Sequence, residues 1–100
     1  MPTVLVVAGD ARIGELVDLM LIRHGCRVRA AADLEHALAA AAQIGPDLVL
    51  VDAMTASLDG VEVCRRLRAD ARTARIPVIL LTRRAQPVEV RRGLAAGADD

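Results

Sequence analysis

The sequence predicts a single α/β domain built as a doubly wound parallel sheet. Short apolar runs alternate with stretches of helical spacing in the order β-α-β-α-β-α-β-α. Two of these runs, Val4–Ala8 and Leu48–Val51, are apolar at every position, as expected of strands buried on both faces. The second run ends on Asp52, and the C-terminal ends of strands are where open parallel sheets place their chemistry.

Thr3–Ala8 is the first strand, and Gly9-Asp10 breaks it. Asp10 can cap the helix that follows, accepting from free backbone N–H groups. Ile13, Leu16, Val17, Met20 and Leu21 recur at helical spacing and carry that helix to Arg23 or His24. Gly25 ends it in a left-handed conformation, and His24 suits the negative end of the helix dipole. Cys26–Ala31 alternates loosely and reads as an edge strand. Asp33 caps a second helix, with Leu34, Ala37, Leu38 and Ala41 on one face and His36 off it, which stops before Gly45-Pro46.

Leu48–Val51 and Asp52 follow, then a loop closed by Asp59-Gly60. On this pattern alone Asp52 is either a polar strand terminator or a chemical group. The third helix turns Val61, Val63, Cys64 and Leu67 inward and Arg65, Arg66 and Arg68 outward. Ile76–Leu81 is the fourth strand; Pro77 is tolerated near its start, and Thr82 ends it. A last helix runs from Pro87 to Ala96, and Gly97 stops it.

Composition narrows the function classes. The 13 basic and 13 acidic residues cancel, which argues against direct binding of nucleic acid or an anionic membrane. Arg65-Arg66, Arg83-Arg84 and Arg91-Arg92 form either solvated faces or a local patch. There is no Phe, Tyr or Trp, so the core is aliphatic. Cys26 and Cys64 lie far apart, without Cys-x-x-Cys spacing, and read as small core residues in a reducing compartment. No apolar stretch approaches the roughly 18 residues of a membrane span. The expected location is the cytoplasm.

Several segments together resemble the receiver domain of bacterial two-component response regulators. Val4-Leu5-Val6-Val7 is similar to the family's first strand. Pro46-Asp47-Leu48-Val49-Leu50-Val51-Asp52 is similar to its third strand with the phosphoacceptor aspartate. Leu58-Asp59-Gly60-Val61-Glu62-Val63-Cys64-Arg65-Arg66-Leu67-Arg68 resembles the following helix. Ile76-Pro77-Val78-Ile79-Leu80-Leu81-Thr82 resembles the fourth strand with its switch threonine, and Gly93–Asp100 resembles the approach to a fifth.

The resemblance implies a flavodoxin-like strand order, 2-1-3-4 for the strands present. It implies a signalling module rather than an enzyme, acting between a histidine kinase or other phosphodonor and an output domain or partner protein. Asp52 matches the phosphoacceptor and Thr82 the switch hydroxyl. Met54 matches the position that offers a backbone carbonyl to Mg²⁺, the family's cofactor, which Asp52 also contacts.

Three departures qualify that expectation. The acidic pair that ends the family's first strand is Ala8-Gly9 here, so Mg²⁺ binding should be severely weakened; Asp10, one residue on, either reaches the ion through a water or only caps a helix. Ala56 replaces a common proline. Arg83 and Arg84 replace a small residue after Thr82, where they either contact phosphate, pair with Asp52 in place of the metal, or are solvated. The chain also ends before the family's fifth strand, its lysine and the last helix. The expectation is a fragment, or a homodimer or swapped assembly that covers the fourth strand's open edge. The leading reading is a receiver that accepts a phosphoryl group on Asp52 or switches a partner in degenerate form. The alternative is a phosphorylation-independent interaction domain. A flavodoxin-like cofactor binder or enzyme is disfavoured, because Gly9–Gly14 lacks P-loop and dinucleotide spacing and no aromatic ring is present to stack on a flavin.

Overall fold

Aspartates set the start of each helix, and apolar runs set the strands between them. The computed structural model describes residues 1–52, 59–81, 91, 94, 95 and 97–99, the side chains of Ala11 and Ile13 excepted. The elements are β1 (Thr3–Ala8), α1 (Ala11–Arg23), β2 (Arg27–Ala31), α2 (Leu34–Ile44), β3 (Leu48–Asp52), α3 (Gly60–Ala69) and β4 (Val78–Leu81). The expected last helix falls mostly outside the described residues; Arg91, Leu94 and Ala95 are helical.

The strands form one parallel sheet in the order β2-β1-β3-β4, as the sequence predicted. β1 is central, and its residues Val4 to Val7 are buried. Asp47 sets its register with β3: its carboxylate accepts from the Thr3 N–H at 2.8 Å, and its own N–H donates to the Thr3 carbonyl at 2.8 Å. Right-handed crossovers that run first one way along the sheet and then the other put α1 on one face and α2 and α3 on the other. Leu5, Val7, Val49, Val51 and Val78 form the main core with Ala37, Ala41, Val63, Cys64 and Leu67. Val4 and Val6 face α1 instead, because side chains alternate along a strand.

Asp10, Asp33 and Asp59 cap α1, α2 and α3, accepting from the N–H groups of Arg12 (2.9 Å), His36 (2.9 Å) and Glu62 (3.1 Å). His24 is the C-cap of α1, and Gly45 ends α2 in a left-handed conformation.

Of the apolar residues at helical spacing in α1, Leu16 and Met20 are exposed beside Leu19 and Ile22, while Val17 and Leu21 turn toward the sheet. Apolar residues occupy most of the circumference of this helix, and one sheet face covers only part of it. Val61 is half-buried rather than buried. β4 begins at Val78 rather than Ile76, after Pro77. Arg68 does not point to solvent.

The Arg68 guanidinium instead joins three parts of the chain. Nε donates to the Gly97 carbonyl at 2.8 Å, Nη1 to the carbonyls of Ala74 and Ile76, and Nη2 to the Asp99 carboxylate at 2.7 Å. Since β3 takes the Pro77 carbonyl, the N–H and C=O of Val78 face away from β3. Asp99 meets both: its carboxylate accepts from the Val78 N–H and its N–H donates to the Val78 carbonyl, each at 2.8 Å. Residues 97–99 therefore lie along the start of the outer edge of β4. Gly97 has φ 110°, and a Cβ there would meet Arg68 Cγ at 2.5 Å, so only glycine suits this position. Thr73 closes the same corner from within, its buried hydroxyl donating to the Leu67 carbonyl at 2.6 Å.

Arg68→Met should therefore lower stability by about 2 kcal/mol or more, since hydrogen bonds to a charged group are lost and carbonyls are left unpaired. Arg65→Ala removes only an exposed pair with Glu62 and should cost under about 0.5 kcal/mol. Urea denaturation of the two variants reads the contrast.

A second expectation concerns acid. Hydrogen bonds from the Arg72 side chain and N–H hold the Asp70 carboxyl down at about 2, and the His36 N–H and ring lower Asp33. A depressed carboxyl pKa stabilises above the unfolded value near 3.8 and loses that contribution as pH falls through the folded value. The urea midpoint should fall between pH 4 and about pH 2, and less steeply in Asp70→Asn.

Candidate functional site

The parallel register brings the ends of three strands together around one acid. Asp52, the last residue of β3, is paired with Ala8 of β1 on one side and Leu81 of β4 on the other. It is 1% exposed. Val49 and Val51 are buried before it, so a carboxylate ends an otherwise apolar strand at the C-terminal edge of the sheet. That is where the crevice of an open parallel sheet lies. Its neighbour in β1, Ala8, contributes only a methyl group.

Asp10 lies two residues beyond Ala8. Its Oδ1 accepts from the Arg12 N–H, and its carbonyl accepts from the Gly14 N–H at 3.0 Å, so it opens α1 as a cap. Asp10 also lines a cavity of about 280 Å³ between α1 and the ends of β1 and β2, with Ala8, Gly14, Glu15, Asp18 and Ala30–Ala32. This cavity lies on the β2 side of β1, whereas Asp52 lies on β3, the opposite neighbour. Asp59 stands at the far end of the loop that follows Asp52, committed to the first turn of α3.

Met54, Thr82, Arg83 and Arg84 lie outside the described residues, so the structure brings together only Asp52 and the end of β1 from the expected set. Among the described residues no three His, Cys, Asp or Glu side chains are grouped so as to hold a metal ion. No helix among them is long and apolar enough to cross a membrane.

Asp18 carries no motif, yet the structure singles it out. Its Oδ1 is buried without a hydrogen-bond partner among the described residues, and burial, with Glu15 nearby, raises its pKa. Its sequence signal is slight: an acid three residues after Glu15, next to Val17 in the middle of α1.

Comparisons with known proteins agree on one family. The family model described as response regulator receiver domain matches residues 4–100. The transcriptional regulatory protein AfsQ1 of Streptomyces coelicolor is 43% identical over 100 residues, covering all of this chain and 43% of the relative. The DNA-binding dual master transcriptional regulator RpaA of Synechocystis is 42% identical, covering all of this chain and 42% of the relative. The chain thus spans less than half the length of these curated relatives. Among solved structures, the Vibrio cholerae chemotaxis protein CheY4 matches with a TM-score of 0.90 at 30% identity, over 98% of this chain and 82% of that one. The N-terminal domain of a response regulator receiver protein from Methanoculleus marisnigri matches with a TM-score of 0.88 at 34% identity, over 100% of this chain and 81% of that one.

A carboxyl whose pKa is raised on folding destabilises the fold once it ionises, so stability falls as pH rises through its titration. Asp18→Asn should accordingly be more stable than the wild type at neutral pH. The difference should shrink below the ordinary carboxylate range, as thermal melts across pH would show.

Proposed function

This chain belongs to the response regulator receiver domain family, and we propose that Asp52 is the group whose chemical state it passes to an output partner. The observation that carries the proposal is the placement of Asp52: a buried carboxylate that ends an apolar inner strand at the C-terminal edge of a parallel sheet. The proposed reaction is phosphoryl transfer. A carboxylate oxygen of Asp52 attacks the phosphorus of a phosphohistidine or a small phosphodonor. The P–N or P–O bond to the donor breaks, and the donor leaves with the electron pair. The product is an aspartyl phosphate.

The protein's share of this work is positioning, because phosphoryl transfer needs alignment and charge stabilisation more than covalent activation. A phosphoryl group brings about −1.5 to −2 of charge at pH 7 to a strand end lined by Ala8 and Leu81, which offer no side-chain donor. That charge must be met by groups on the loops beyond the strands, and the rearrangement that brings them in is the proposed signal. Thr82, Arg83 and Arg84 follow β4 directly in sequence and are the proposed donors. The relatives named for transcriptional regulation are more than twice this chain's length. An output domain that acts on DNA is the corresponding proposal for the partner here.

The interaction-domain reading keeps the same fold but makes Asp52 silent. Incubation of the chain with phosphoramidate and measurement of its intact mass separates the two. The expected result is an adduct of one phosphoryl group, present in the wild type and absent in Asp52→Asn. An unmodified wild type, with partner binding unchanged in Asp52→Asn, would favour the silent reading.

A further inference from the structure

We infer that the strand end beside Asp52 is not a Mg²⁺ site, so that any phosphoryl group Asp52 accepts arrives without help from a divalent cation. The inference rests on reading Asp52 as the phosphoacceptor. It departs from what the family ordinarily does at this position.

The argument is one of available oxygen. Mg²⁺ requires near-octahedral oxygen ligands at roughly 2.0–2.1 Å and gives up its water reluctantly, so protein sites hold it through one or two carboxylates together with phosphate oxygens. The in-register neighbour of Asp52 on β1 is Ala8, which presents a methyl group where a carboxylate would be needed. Gly9 follows and has no side chain. The next acid, Asp10, spends Oδ1 on the Arg12 N–H and lines the cavity between α1 and the ends of β1 and β2. Asp59 is likewise spent on the Glu62 N–H. Among the described residues, those beside Asp52 do not fit the ion.

The same geometry says how the site could be rebuilt. Ala8 is paired directly with Asp52, so an aspartate there would bring a second carboxylate to the acceptor. Among the described residues the left-handed glycines are Gly25, Gly45 and Gly97. Gly9 is not one of them, so its φ does not demand glycine.

The test titrates Mg²⁺ into isotope-labelled full chain and into the double variant A8D/G9D, following the amide signals of Val51 and Asp52. The wild type should not respond at concentrations that saturate the double variant. With phosphoramidate, the wild type should form its adduct at the same rate in Mg²⁺ and in a chelator. The double variant should run at least about tenfold faster with Mg²⁺ than without, because a bound cation stabilises the developing charge. Saturable Mg²⁺ binding by the wild type would overturn the inference, as would a folded double variant that fails to bind. If A8D/G9D does not fold, the single variant Ala8→Asp takes its place under the same criteria. A variant that binds Mg²⁺ while neither protein forms an adduct on Asp52 would leave the inference standing and remove the phosphoacceptor reading.

Discussion

The in-register parallel pairing of β1 between β2 and β3 is the constraint on which the rest of the structure depends. β1 has a neighbour on each side and helices over both faces, so it must be apolar along its length, and Val4 to Val7 are. The reciprocal bonds between Asp47 and Thr3 set the register at the start of the pair. Five steps later that register delivers Ala8 to the side of Asp52. A slip of one residue would exchange the two faces of β1 and put Val4 and Val6 where Leu5 and Val7 belong. Residues 8 and 52 therefore have to be read together.

The core that holds this register is built from small aliphatic side chains. Valine and alanine dominate the buried residues, and no aromatic residue adds area. Valine is stiff at χ1 and loses little rotamer freedom on burial, which suits a sheet whose geometry must be definite. Definition at the margins comes from polar groups that close each turn. Three aspartates start the helices, Thr73 bonds a carbonyl in the last turn of α3, and Arg68 gathers the carbonyls around the start of β4.

Much of the fold was legible because its signals are local. Unbroken apolar runs marked β1 and β3, and Asp10 and Asp33 announced caps that the structure contains. What escaped depends on distant partners. Arg68 sits among arginines on an outward-reading helix, and its acceptors Gly97 and Asp99 lie 29 and 31 residues away. Helical spacing found the apolar residues of α1 but could not say which the sheet would cover: Leu16 and Met20 are exposed. At the site, a strand-terminal carboxylate pointed to Asp52. The two uses of Asp10, cap and metal ligand, draw on the same carboxylate, and only the bond to the Arg12 N–H shows the cap in place.

The methyl group of Ala8 beside Asp52 also bears on the resting protein. Several acids crowded at one strand end would repel one another, and functional sites commonly carry such a burden as lost stability. This chain lacks that crowding at the end of β1. The resting strand end is thereby relieved of like-charge repulsion beside Asp52, and the register that aligns β1 with β3 holds without that electrostatic cost.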